Sequence, residues 1–273
     1  MILVAGHYCH DTLLSNAGTH RALGGSAAYA SAILDALGEP YEVAAKAGPD
    51  FLYAAQVTRQ PRIVPGRTSS FVDDYRSGER RDHVDAVCEA LEPDDLQGEY
   101  DVGIACAITG EVPPRTLARI REISRIVLAD AQGLLRDIAP GGDVLLRPLH
   151  PDAPDQIDFL KASRSEAALL DVDALRQRLT LIVTDGPRGC TLITASDETH
   201  VPAFPAQEKD PTGAGDCFLA GFAVGLARGL DPLEAARIGA YCGARAVEQI
   251  GVPRLTAAQC AEAIRTVRPP RSG

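Results

Sequence analysis

Short aliphatic or β-branched runs recur at residues 2–5, 43–47, 102–107, 126–129, 144–146 and 181–184, and segments of helical period separate them. Runs of this kind are apolar on consecutive positions, so both faces of each strand must be covered, which calls for a mostly parallel sheet with helices on either side. The clearest helical segments span residues 27–37, ended by Gly38; 115–123, after the Pro113-Pro114 start; 218–228; 232–249; and 257–266. The last third of the chain is therefore mainly helical, and the alternation as a whole predicts a doubly wound α/β domain over residues 1–273.

Two stretches break this rhythm. Residues 11–23 and 66–84 carry few large apolar side chains, and the second contains a turn-like Arg76-Ser77-Gly78-Glu79 between two extended segments. They cannot form a core of their own, so they are expected to build a small β lid projecting from the main domain. No internal repeat is found, and residues 268–273 read as a loose tail.

Charge narrows the function. Twenty-seven Lys plus Arg against 37 Asp plus Glu gives a formal net charge of -10, with no basic run. Neutralising nucleic-acid phosphates or anionic lipid is thereby disfavoured, and an anionic ligand would have to be held locally. The longest apolar stretch, 217–227, is too short to span a bilayer, and the opening Met1-Ile2-Leu3-Val4 reads as a buried strand rather than a signal peptide, so a cytoplasmic location is expected. Seven cysteines without a CxxC pair suit reduced, buried thiols.

The chemistry gathers at Asp210-Pro211-Thr212-Gly213-Ala214-Gly215-Asp216, ahead of an apolar helix. Two glycines around one alanine let successive backbone amides turn to a common point, and the helix dipole adds positive potential, which makes an anion hole without a basic side chain. Asp216 in the first turn is then placed to take a proton from a hydroxyl during phosphoryl transfer. A plain helix cap is the alternative for this segment alone. Gly221, Gly225 and Gly229 recur every fourth residue and are read as a close-packing stripe. Neither a GxxxxGK[ST] loop nor a strand-flanked GxGxxG occurs, which removes the main support for P-loop and nicotinamide-dehydrogenase readings.

The segment DPTGAGDCFLAGF resembles the C-terminal signature of the ribokinase family, also called the phosphofructokinase B family of carbohydrate kinases. Leu23-Gly24-Gly25-Ser26-Ala27-Ala28 is similar to its di-glycine segment, and Lys46-Ala47-Gly48-Pro49-Asp50 to its K-x-G-x-D loop. The resemblance implies a ribokinase-like fold, with Asp216 as base and Gly213, Ala214 and Gly215 as the anion hole. It also implies acceptor contacts from Asp11 and from Gly24, Gly25 and Ser26 at a lid hinge. Thr184, Gly186 and Gly189 are similar to a T-x-G-x-x-G nucleotide loop, and Ser163-Arg164-Ser165-Glu166 to the N-x-x-E motif, with Ser in place of Asn. Glu166 would then serve Mg²⁺ through water, and Lys161 and Ser163 the nucleotide. Asp130-Ala131-Gln132-Gly133-Leu134-Leu135-Arg136 matches a D-x-Q-G-x-x-R segment of one branch and adds Arg136 to the acceptor residues. Within the family, the opening, the LGGSAAY segment and residues 159–167 are most similar to plant-type myo-inositol kinases.

The resemblance and the residues together imply an ATP- and Mg²⁺-dependent kinase, with a monovalent cation allowed, that phosphorylates a small neutral polyol or sugar as a monomer or homodimer. Myo-inositol is the leading acceptor, and a sugar or nucleoside is next. Tyr29 stands where many sugar kinases of the family have Asn, which argues against ribose. A phosphosugar would need convergent cations, for which only Lys46, Arg80 and Arg81 offer themselves. From another class, a non-catalytic nucleotide- or metabolite-binding regulator with the same fold is the competing reading. A metal site at His7, Cys9, His10 and Asp11 is disfavoured, because alternation on a strand sends these side chains to opposite faces.

Overall fold

The computed structural model describes residues 1–16, 18–74, 76 and 81–265. In chain order, β1 (Ile2–Ala5) is followed by β2 (Cys9–Ser15), β3 (Gly18–Gly24), α1 (Ser26–Leu37), β4 (Tyr41–Ala44), β5 (Lys46–Ala47), β6 (Arg62–Ile63), β7 (Ser70–Asp74) and β8 (Arg81–Ala86). Then come β9 (Tyr100–Ala105), α2 (Pro114–Ile123), β10 (Ser124–Asp130), α3 (Ala131–Leu135), β11 (Arg136–Ile138), β12 (Val144–Leu146), β13 (Phe159–Ser163), α4 (Arg164–Ala167), α5 (Val172–Leu175) and β14 (Thr180–Thr184). The chain closes with β15 (Cys190–Ile193), β16 (Glu198–Val201), α6 (Ala214–Ala227), α7 (Pro232–Ala246) and α8 (Ala257–Arg265).

Eight strands form the central sheet in the order β16-β15-β14-β13-β10-β9-β1-β4. From β14 to β4 all neighbours run parallel, and β15 and β16 add an antiparallel edge. Alternation explains the two cores. Ile2, Val4, Val102, Ile104 and Leu128 face α1, α6 and α7, while Leu3, Ala5, Ala105, Val127 and Ala129 face the layer that contains α2. The expected doubly wound α/β architecture is therefore what the chain adopts. No helix among the described residues is long and apolar enough to cross a membrane.

Several elements differ from the reading of the apolar runs. The run at 43–47 divides, with β4 in the main sheet and β5 paired instead with β6. The run at 144–146 is not a strand of the main sheet: β12 pairs with β11 in a separate hairpin, which leaves Leu145 and Leu146 52% and 62% exposed. Strand β13 is absent from the expected strands, because its central positions include Lys161 and its end is Ser163, so its polar residues mask the pattern. Short β15 and polar β16 escape for a similar reason.

Gly221 and Gly225 set the approach of α6 to α7. A Cβ on Gly225 would lie 2.6 Å from the Ala235 Cα, and one on Gly221 would lie 3.1 Å from the Gly239 Cα. Gly229 is not part of this stripe; it lies beyond the helix with φ 75° and nothing close to it. Gly225→Val is expected to overpack this contact, costing about 3 kcal/mol and lowering Tm by roughly 6–12 °C in a thermal melt. An unchanged Tm would mean that the helices are not held at this separation.

The two stretches outside the α/β rhythm fall in a second sheet of order β3-β2-β7-β8, in which β2 and β7 are parallel. The turn residues Ser77, Gly78 and Glu79, as well as Arg80 and the tail 268–273, lie outside the described residues, as does the side chain of Arg81. Two of the connections to this sheet are tied to residues in and just after β5. Asp50 accepts from the Thr68 amide and hydroxyl ahead of β7. Lys46 pairs with Glu89 and Asp95 after β8, at 3.1 and 2.8 Å.

Candidate active site

The C-terminal ends of β9, β10, β13 and β14 open onto a cleft of about 840 Å³, where open α/β sheets place their ligands. Asp11, Phe71 and Val84 of the small sheet wall one side, and Arg136, Val144 and Leu146 of the β11–β12 hairpin another. The loop 211–213 and the first turn of α6 form the floor.

That floor is held by its own sequence. Asp210, the first residue of the motif, is buried and acts as a clamp: one carboxylate oxygen accepts from the Thr212 amide at 3.0 Å, the other from the Gly251 amide at 3.1 Å. Gly213 caps α6 in the left-handed region at φ 71°, and a Cβ there would overlap the ring of Tyr29. Glycine is thus required twice, by conformation and by Tyr29. Gly213 and Gly215 line the cleft, whereas Ala214 does not, and its amide donates to the Pro211 carbonyl at 3.3 Å. The positive end of α6 consequently faces the cleft beside Asp216.

Asp216 sits at the third position of α6, only partly open to the cleft. Removal from water and, after it, the nearby carboxylates of Asp130, Glu111 and Asp11 push its pKa up to about 7, with the Lys161 ammonium opposing them. A carboxylate poised near neutrality suits a general base. Lys161 and Asp130 face each other across β13 and β10 and form a buried ion pair at 2.7 Å. Burial disfavours the Lys161 charge, but Asp130 outweighs it and the ammonium is held above its ordinary pKa. Its Nζ lies against Gly215, 2.5 Å from where a Cβ would stand. The cleft therefore has a fixed cation, an amide-lined helix end and a poised carboxylate gathered around the first turn of α6.

Of the residues expected from sequence, Asp11, Gly25, Arg136, Lys161, Ser163, Glu166, Thr184, Gly213, Gly215 and Asp216 all line this cleft. Gly24 stands behind Asp11, packed so closely on its carboxylate that a Cβ could not be accommodated. Ser26 is different. It is fully buried and its hydroxyl donates to the Cys106 carbonyl, so its contact is with the core and not the cleft. Gly186 and Gly189 also stay outside; they shape the β14–β15 turn, where Gly189 at φ 91° approaches the Val201 carbonyl. Lys46 is buried in its carboxylate pairs and does not reach the cleft. His7 and His10 are likewise engaged, His7 with the Glu89 carbonyl and Lys46 amide, His10 with the Leu52 amide.

Sequence reasoning does not single out Glu111, whose buried carboxylate accepts from the Ile108 and Thr109 amides and so shapes the β9 loop that lines the cleft. No local pattern marks it, because its partners are main-chain groups. Phe71 and Val84 also escape notice, since single apolar residues in a polar strand look like ordinary packing.

The donor set suits a magnesium ion held mainly by phosphates and water. Among the described residues no group of three potential metal ligands converges. Glu166 reaches the cleft, although one carboxylate oxygen already accepts from the Ser163 amide and hydroxyl, both at 2.8 Å. Mg²⁺ keeps several waters and takes few protein ligands at phosphate sites, which fits a single carboxylate acting through water.

The sequence model for the pfkB family carbohydrate kinases matches residues 102–256. The inositol 3-kinase of Zea mays is 39% identical over 280 residues, covering 92% of this chain and 73% of that protein. The inositol 3-kinase of Oryza sativa subsp. japonica is 40% identical over 277 residues, covering 92% and 69%. Among solved structures, a pyrophosphate-dependent kinase in the ribokinase family, complexed with a pyrophosphate analog and myo-inositol, superposes with a TM-score of 0.80 at 18% identity, covering 96% of this chain and all of that one.

Proposed function

Since this chain belongs to the pfkB family of carbohydrate kinases, we propose that it transfers the γ-phosphoryl group of ATP to one hydroxyl of myo-inositol. Asp216 takes the hydroxyl proton as the alkoxide oxygen attacks phosphorus in line and ADP leaves. The Gly213 and Gly215 turn at the head of α6 and the Lys161 ammonium stabilise the charge on the migrating group. Asp11 accepts from other hydroxyls and orients the ring, Thr184 and Ser163 line the donor side, and the small sheet serves as a lid that excludes water. Magnesium, when bound beside Glu166, supplies charge neutralisation at the donor phosphates.

The observation that carries this reading is the placement of Asp216 in the first turn of α6, in one cleft with Asp11, the Gly213 and Gly215 turn and the Lys161 ammonium. The acceptor is read from charge. Asp11, Asp130, Asp143, Glu166 and Asp216 line the cleft against Arg136 and Lys161, and Lys161 is already paired with Asp130. With Lys161 already paired, Arg136 is the other cation of the lining that could meet a phosphate on the acceptor, whereas the carboxylates accept hydrogen bonds from a neutral polyol. The inositol 3-kinase relatives support the same acceptor.

Donor release over a panel of inositols, pentoses, hexoses and nucleosides tests the reading. We expect kcat/KM for myo-inositol to exceed the rest by about tenfold or more. Donor binding with no release for any acceptor would favour the non-catalytic regulator. Because Gly186 and Gly189 stand outside the cleft, the panel is run with pyrophosphate beside ATP; a preference for pyrophosphate would replace the nucleotide and leave the acceptor chemistry intact.

A further inference from the structure

Two carboxylates act on the buried Lys161 ammonium, Asp130 and Asp216. Asp130 stands opposite Lys161 in the register of β10 and β13. Asp216 follows Gly215, whose Cβ position would lie 2.5 Å from the Lys161 Nζ. Among the described residues, Asp130 is the carboxylate that Lys161 pairs with, at 2.7 Å. Asp130 is itself fixed. It ends β10 and caps α3, and its other oxygen accepts from the Gln132 amide at 3.1 Å. The helix α3 cannot drift, because Gly133 packs so closely on Ala107 that a Cβ would overlap it. A short carboxylate tied to main chain through one oxygen therefore offers the other to Lys161 at a set place. The choice of partner matters for the chemistry. An ammonium drawn onto Asp216 would occupy the lone pairs that must receive the acceptor proton. It would also leave the Gly215 turn, where the migrating group needs positive charge.

Resting on the reading of Asp216 as the base, we infer that Asp130 is a positioning residue that holds the Lys161 ammonium against the Gly215 turn and off Asp216. One carboxylate thus keeps the cation in place, and the other stays free for the acceptor hydroxyl. The further charges about Asp216 are the carboxylates of Glu111, after β9, and Asp11, on β2. Burial keeps the thiols of Cys9, Cys106 and Cys217 and the phenol of Tyr29 neutral. Glu166 acts on Lys161 from α4. Lys161 is the cation among these groups, so where it sits sets how readily Asp216 ionises.

The test is the pH profile of kcat and kcat/KM with ATP and myo-inositol for the wild type, Asp130→Asn, Lys161→Met and the Asp130→Asn/Lys161→Met double variant, with Asp216→Asn as the reference that lacks the base. Asp130→Asn keeps the size of the side chain and an oxygen for the α3 cap, and frees Lys161 to turn to Asp216. Its acid limb should move to lower pH by about one unit, and its plateau kcat should fall by about 10–10²-fold. Lys161→Met should move the limb the other way. Because Asp130 acts through Lys161, the double variant should be no slower on the plateau than Lys161→Met alone. That comparison carries the result if Asp130→Asn fails to fold. An acid limb left in place by Asp130→Asn would overturn the inference, since a merely structural carboxylate changes stability or rate and not the limb. So would a double variant about tenfold slower than Lys161→Met. A limb that persists in Asp216→Asn, or a wild type without turnover, would instead remove the reading of Asp216 as base, and this inference with it.

Discussion

Asp216→Asn is expected to lower kcat by about 10²–10⁴-fold, the contribution of a positioned general base, while donor affinity measured by calorimetry changes little. The amide keeps the size of the carboxylate and cannot accept the hydroxyl proton. In the wild type the base works only when ionised. Burial and the neighbouring carboxylates raise its pKa to about 7, so kcat/KM should fall as pH drops below 7 and level off above it. The variant should lose that limb. Stability should move the opposite way. The folded pKa lies above the ordinary Asp value near ~3.9, so between about pH 4 and 7 the folded chain holds a proton that the unfolded chain has released. Ionised Asp216 therefore costs stability that Asn does not, and Tm of the variant should exceed that of the wild type, with a larger gap at pH 8 than at pH 5. Retained turnover would remove Asp216 from the mechanism, and a variant less stable at pH 8 would contradict the assigned charge penalty.

Gly213→Ala is expected to damage both transfer and donor binding. Its φ of 71° is strained for any L side chain, and the added methyl would overlap the ring of Tyr29, which is itself buried. The turn must shift, and with it the amides at the head of α6. Loss of one such donor costs about 10²–10³-fold in kcat, so a fall of that size with a raised KM for ATP is the expected result. Circular dichroism should show the fold retained. Gly215→Ala makes the contrast: its methyl would meet the far end of the Lys161 side chain, which can bend aside, so the expected change is a several-fold higher KM for ATP. Equal effects of the two substitutions would mean that Tyr29 does not shape the turn.

Much of the fold is legible in the order of residues alone. Strands β1, β9, β10 and β14 are apolar on consecutive positions because both of their faces are covered, and that pattern is visible in one dimension. Strand β13 is not visible in this way, because it ends in the polar residues that serve the cleft. The same conflict hides the hairpin, whose leucines look like core and are exposed. Where a strand end carries chemistry, local pattern and function pull in different directions.

By itself the amino-acid order determined the layered α/β architecture, the glycine turn ahead of α6 and Asp216 as the acid group in that turn, since periodicity, glycine placement and helix capping are properties of neighbouring residues. Only the tertiary structure decided the surroundings. It brought Asp130 and Lys161 together from adjacent strands 31 residues apart, set Tyr29 against Gly213, and turned Ser26 into the core. It also aligned Asp11, Phe71 and Val84 over the cleft. The charge of Asp216 and the orientation of an acceptor depend on which groups are near in space and on how little water lies between them, and neither is encoded by distance along the chain.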